Sequence, residues 1–95
     1  MRVRRVDDNQ AEVVKALRKI GAEVTHLHTL GRGVSDLLVS FRQGWYVLEV
    51  KDGRKPPSAR ALTKDEKSWI GLQRAPVYVV NSPDEAVGLL TGLTR

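Results

Sequence analysis

Apolar residues recur at helical spacing early in the chain, with Ala11, Val14 and Leu17 beside Ala16 and Ile20 on one stripe. The spacing predicts an amphipathic helix starting at Asp7 or Asp8, with Asp7 and Gln10 as a capping-box pair and Gly21 as its stop. Residues 23–28 alternate instead, placing Val24, His26 and His28 on one face of a strand and Thr25 and Leu27 on the other. Gly31 and Gly33 permit a tight loop, after which residues 35–41 and 45–51 read as two strands joined around Arg42-Gln43-Gly44 in an antiparallel hairpin. Residues 52–61 carry Gly53, Pro56 and Pro57 among polar side chains, a composition expected to form neither helix nor central strand. Thr63 with Glu66 marks a second helix reaching about Gln73, and residues 76–80 read as a short buried strand. Ser82 caps a last helix with Pro83 at its first position and Glu85 completing a capping box ahead of Ala86, Val87, Leu89 and Leu90.

Helix, three strands, helix, strand, helix is the order that results, a sheet with helices on its faces and thus the α/β or α+β class. The strand at 76–80 is apolar throughout and follows a crossover helix. It is expected to run parallel to a hairpin strand, in the interior of the sheet.

The chain has 95 residues, enough for one domain with a single core. It has no cysteine, which excludes disulfides, thiolate zinc sites and cysteine nucleophiles. A net charge of +5 and a sequence pI near 10.0 favour a polyanionic partner such as nucleic acid. The charged start, Met1-Arg2-Val3-Arg4-Arg5-Val6-Asp7-Asp8, is unlike a signal peptide, and no stretch is apolar enough to span a membrane. A soluble, cytoplasmic protein without a membrane partner is the expectation.

Against that background Asp36, Glu49 and Lys51 stand out, because each lies in a strand otherwise apolar enough to be buried. Two carboxylates on adjacent strands can supply hard oxygen ligands to magnesium or manganese, which neutralises a phosphodiester and activates water. The hairpin register decides whether they can meet. A two-residue loop sets Asp36 opposite Glu49; a four-residue loop sets it opposite Lys51 with Glu49 diagonal; a three-residue loop without a bulge separates the carboxylates onto opposite faces. Glu49 and Lys51 share a face in every register, so the lysine can act on water or phosphate beside the ion.

These residues resemble the PD-(D/E)XK nuclease superfamily, with Asp36, Glu49 and Lys51 at its signature positions and Ser35 where the name has proline. The Gly-x-Gly-x-Ser-Asp-Leu-Leu-Val run, the Glu-Val-Lys-Asp-Gly run and Leu62-Thr63-Lys64-Asp65-Glu66 are more specifically similar to virus-type replication-repair nuclease (VRR-NUC) domains of the stand-alone, phage-like form. The resemblance covers about Asp8 to Tyr78. It implies a restriction-endonuclease-like αβββαβ core with a mixed central sheet flanked by helices, here with an extra C-terminal helix. It implies Glu12 as a further acidic residue acting on the ion directly or through water, the Val50 backbone carbonyl as another ligand, and an auxiliary place for Glu66 near the lysine. The competing reading of Glu12 is a solvated helix position, and that of Glu66 is a cap on Thr63. The implied activity is Mg2+- or Mn2+-dependent hydrolysis of DNA, resembling that of Holliday-junction resolvases acting as homodimers on branched or four-way DNA, in the host cytoplasm if phage-encoded. Alternatives are a nicking, flap or restriction-like nuclease with the same site, or an inactive DNA-binding module on that scaffold; retention of all three central residues argues against the last.

Beside a nuclease site, Arg2, Arg4 and Arg5, and Arg54, Lys55, Arg60, Lys64 and Lys67 around the proline loop, are expected to contact DNA. His26 and His28 read as a half-exposed strand face in preference to a metal pair. Trp45 and Trp69 read as packing or subunit-interface residues.

Overall fold

A computed structural model describes residues 8–94; the expected Asp7 cap and Arg2, Arg4 and Arg5 lie outside them. The elements are α1 (Gln10–Lys19), β1 (Glu23–His26), a single 3-10 turn (His28–Leu30), β2 (Leu37–Phe41), β3 (Gly44–Val50), α2 (Pro57–Arg60), α3 (Lys64–Leu72), β4 (Val77–Val80) and α4 (Pro83–Leu93). Four strands form one mixed sheet in the order β1-β2-β3-β4, antiparallel except for the β3–β4 pair.

Alternation along the strands separates two faces. Val24, Leu37, Val39, Phe41, Leu48, Val50 and Val80 are buried together with Val13, Val14 and Leu17 of α1 and Ala86 and Leu90 of α4. Those two helices pack side by side and close this face. The other face carries Glu49 with Val47 and Trp45 of β3, alongside Val79 of β4; Trp45 is 72% exposed and Val79 39%. Trp45 therefore takes no part in the core, whereas Trp69 on α3 is half-buried.

Several expectations are corrected. The stripe of α1 turns on Val13, Val14 and Leu17, and Ala11 is exposed. Strand β1 stops at His26, because the chain folds into the 3-10 turn at His28 and removes that histidine from the strand face. The proline segment contains the short helix α2, with Pro56 as its cap and Pro57 in its first turn, where a missing N–H costs nothing and the ring's φ suits a helix start. Among the described residues strand β4 is an edge strand, with β3 as its one neighbour, and four apolar residues cannot by themselves distinguish an edge from an interior strand. At α4, Ser82 accepts from the Glu85 N–H at 3.0 Å, while the Glu85 carboxylate takes the Asn81 side chain in place of a reciprocal cap. The capping box predicted at Thr63 and Glu66 forms completely.

The hairpin connection has two residues, Arg42 and Gln43, with Phe41 paired to Gly44. Both connecting residues have positive φ, 47° and 69°, as the mirror-image turns that suit strand twist require. Arg42 tolerates this while stacked 4.8 Å over the Phe41 ring and hydrogen-bonded at 3.1 Å to the Thr94 hydroxyl. Gln43 is exposed and carries the left-handed cost without such contacts in the described structure. Gln43→Gly is expected to stabilise the protein by roughly 0.5–1 kcal/mol, read as a rise of several degrees in thermal midpoint.

Candidate active site

The two-residue turn is the register that sets the two carboxylates directly opposite one another. Phe41 pairs with Gly44 and Leu37 with Leu48, so the same register carried one step further sets Asp36 opposite Glu49. Asp36 has just left the ladder. Its carbonyl accepts from the Leu27 N–H at 2.7 Å and its Oδ2 accepts from the Val50 N–H at 2.7 Å, so both ends of the residue are held by backbone. Asp36, Glu49 and Lys51 are 3%, 1% and 6% exposed.

Helix α3 supplies the fourth member. Glu66 Oε1 lies 2.8 Å from Lys51 Nζ and also 2.8 Å from the Thr63 N–H, so one oxygen closes the helix cap and holds the lysine. Cap and auxiliary site residue, weighed as alternatives from the sequence, coincide in one atom. Lys51 Nζ stands 3.8 Å from Glu49 Oε2. At the base of the group, Asn9 donates from one amide nitrogen to the carbonyls of Lys51, at 2.9 Å, and Asn81, at 3.1 Å, tying the start of α1 to the ends of β3 and β4. Sequence reading passed over Asn9, whose polar type before a helix signals an ordinary cap; it makes no side-chain cap hydrogen bond here.

The electrostatics follow from burial and crowding. Burial, then the charges of Asp36 and Glu66, push the Glu49 carboxyl from its ordinary 4.5 up to about 9. Glu66 goes the other way: burial opposes its ionisation, but the Lys51 ammonium and the Thr63 N–H outweigh it and hold the carboxyl down at about 2. At neutral pH Glu49 keeps a proton and Glu66 is the anion paired with Lys51. Because the folded chain holds a proton on Glu49 that the unfolded chain releases above about 4.5, the cation-free protein loses stability as pH rises from about 5 to about 9. Glu66 acts with the opposite sign, its contribution being lost as pH falls from 4.5 towards 2. The thermal midpoint in chelator is thus expected to decline between pH 5 and 9, and Glu49→Gln to flatten that decline.

Not every expected residue joins the group. Glu12 is exposed and lines a neighbouring cavity of about 420 Å³ together with Asn9, Asp52, Arg54, Arg60 and Glu85. Among the described residues no three histidine, aspartate or glutamate side chains gather in metal-ligating geometry. The protein donors available to a hard cation beside Lys51 are therefore the Asp36 and Glu49 carboxylates, with a backbone carbonyl such as that of Val50 and water to complete the shell.

The basic residues are arranged unequally. Arg54 forks onto Asp52 through Nε at 2.9 Å and a terminal nitrogen at 2.8 Å, which lowers the Asp52 carboxyl to about 2 and raises the guanidinium further. Lys55 stands 3.7 Å from the Asp8 carboxylate, and Arg60 donates to the Lys55 carbonyl at 2.8 Å. Lys64 and Lys67 are exposed on α3, the helix that bears Glu66. No helix among the described residues is long and apolar enough to cross a membrane. Compared with protein families, curated proteins and solved structures, the chain matches none.

Proposed function

We propose that the protein is a metal-dependent DNA endonuclease of the PD-(D/E)XK type, resembling VRR-NUC domains, that hydrolyses phosphodiester bonds in branched DNA as a homodimer. The observation that carries this reading is the union of Asp36 and Glu49 across a two-residue turn, with Lys51 beside them under the control of Glu66. The sequence of elements, helix, three strands, helix, strand, agrees with the αβββαβ core that the resemblance implies, with α2 and α4 as additions.

The donor set fits Mg2+ or Mn2+. A buried carboxyl driven to about 9 by burial and by the neighbouring Asp36 and Glu66 carboxylates is a group that gains from a divalent cation in place of its proton. When bound, the ion supplies charge neutralisation at the phosphate and a more acidic water. Asp36 and Glu49 would hold it, the first already oriented by the Val50 N–H. Lys51 stabilises negative charge developing on the phosphate and orients the attacking water. Glu66 fixes the lysine's direction, and the exposed cations of α3 and the proline segment meet flanking phosphates. Glu12, on the adjoining cavity wall, acts through water if it acts on the ion. A symmetric pair of such sites would address two strands of a junction, and the exposed Trp45 is consistent with self-association.

The test is digestion of a four-way junction, a flap, a plain duplex and a single strand in Mg2+, Mn2+ or chelator, with the oligomeric state measured in solution. Symmetric cuts across the junction by a dimer are expected. Preferential cutting of flap or duplex would retain the chemistry and replace the substrate; absence of metal-dependent cutting on all four would remove the nuclease reading.

A further inference from the structure

His26 and His28 meet in a way their spacing does not predict. The chain turns at Leu27, so His26 ends β1 while His28 opens the 3-10 turn, and the two rings stand edge to face with centroids 5.6 Å apart and planes at 84°. Gln10, the first residue of α1, brings its amide nitrogen to 3.4 Å from His26 Nδ1, beyond the usual range of a well-formed hydrogen bond. Gln10 Oε1 and His28 Nδ1 are buried and have no hydrogen-bond partner among the described residues. Unsatisfied buried polar atoms are costly, and here one belongs to Gln10, which touches His26, and the other to His28, whose ring packs against His26.

We propose that His26, His28 and the Gln10 side-chain oxygen form a second metal site, selective for a late first-row ion such as zinc(II). Imidazole nitrogen suits zinc, copper and nickel, whereas the carboxylate pair of Asp36 and Glu49 suits magnesium and manganese, so the two sites differ in the ion they prefer. Zinc–nitrogen bonds of about 2.0–2.1 Å at a tetrahedral centre set ring centres about 5 Å apart, close to the observed 5.6 Å, and rotation of the rings from edge-to-face would turn a nitrogen of each towards the ion. To ligate, the Gln10 amide would rotate to present its oxygen, giving up the long contact to His26. Two neutral imidazoles and one amide leave a position for water. His26 is exposed, which provides the entry path. A site of imidazoles and an amide without an acidic ligand discriminates strongly against magnesium, which prefers hard oxygen donors. Gln10 is sixteen residues from His26 in the chain, which is why histidine spacing alone offered two ligands and no third.

The test is a zinc chloride titration of the full chain in excess magnesium, followed by calorimetry and by the imidazole proton resonances. One equivalent is expected to bind and to move the signals of both histidines, while magnesium alone moves neither. His26→Ala and His28→Ala are each expected to weaken this equivalent by at least about tenfold. His26 is exposed, so its replacement leaves the fold intact and decides the matter even if the His28 variant folds poorly. Zinc that leaves both imidazole signals unmoved, or binds His26→Ala as tightly as wild type, overturns the site. Because no DNA is present, this outcome is independent of the nuclease assay.

Discussion

On the nuclease function proposed above, Lys51→Met is expected to lower metal-dependent DNA cleavage by about 10²–10⁴-fold, the range associated with a positioned proton-transfer or charge-stabilising group. The same change leaves the Glu66 carboxylate buried beside Thr63 without its ammonium partner at 2.8 Å. Breaking a buried pair from one side costs about 3–5 kcal/mol, so the thermal midpoint should fall by more than about 10 °C. Loss of activity could then be mistaken for loss of fold. The double variant Lys51→Met with Glu66→Gln separates the two. Glutamine keeps an oxygen to accept the Thr63 N–H, removes the stranded charge and is expected to restore most of the lost stability, while cleavage stays as low as in the single variant. Recovery of cleavage in the double variant would show that Lys51 acts only as a structural counter-charge. Cleavage rates on the branched substrate and thermal midpoints, measured in parallel, provide both readouts.

Gly33→Ala is expected to be the most disruptive single methyl addition in the approach to the site. Gly33 has φ of +79°, and a Cβ there would overlap the backbone carbonyl of Asp65 and the amide of Glu66 at the start of α3. The loop that delivers Asp36 thus lies directly against the turn that delivers Glu66. A left-handed alanine costs about 1–2 kcal/mol by conformation alone. The overlap with rigid backbone adds to this, because the loop and α3 must separate and Glu66 then withdraws from Lys51. Gly21→Ala is the control: its φ of +96° carries the conformational cost, but nothing lies within 4 Å of the added carbon. Urea or thermal melts should show a larger loss for Gly33→Ala than for Gly21→Ala, and only the former should impair cleavage. Equal losses would mean that the close approach to α3 contributes nothing.

Both predictions depend on contacts that join segments distant in the chain, and this is where sequence reading reached its limit. The existence of α1, the hairpin, the capping box at Thr63 and the last helix were legible because each rests on periodicity or on side chains three or four residues apart, although the buried stripe of α1 includes Val13 and leaves Ala11 exposed. Asp36, Glu49 and Lys51 were legible for a different reason: buried charge is expensive, so its presence in apolar strands marks it without any knowledge of the partners. The errors lie where a local signal has two outcomes. Pro56 and Pro57 exclude a helix interior but favour a helix start, and the structure uses the second property. Val77–Val80 is apolar enough for an interior strand, yet four strands in sequence order leave it at an edge. Asn9 looks like a helix cap and instead ties together two chain segments more than forty residues away.

By itself the sequence determined the helix and strand periods, the shared face of Glu49 and Lys51, and the absence of cysteine chemistry, since all of these follow from residue type and spacing. Only the tertiary structure decided that the turn at Arg42 and Gln43 has two residues, that one oxygen of Glu66 serves both cap and lysine, and that Glu12 stands on a separate cavity wall. The division has a physical cause. A strand or helix repeats its own side-chain directions, but the register of a hairpin and the docking of α3 against Gly33 are set by the packing of many residues at once, and no short stretch of chain contains that information.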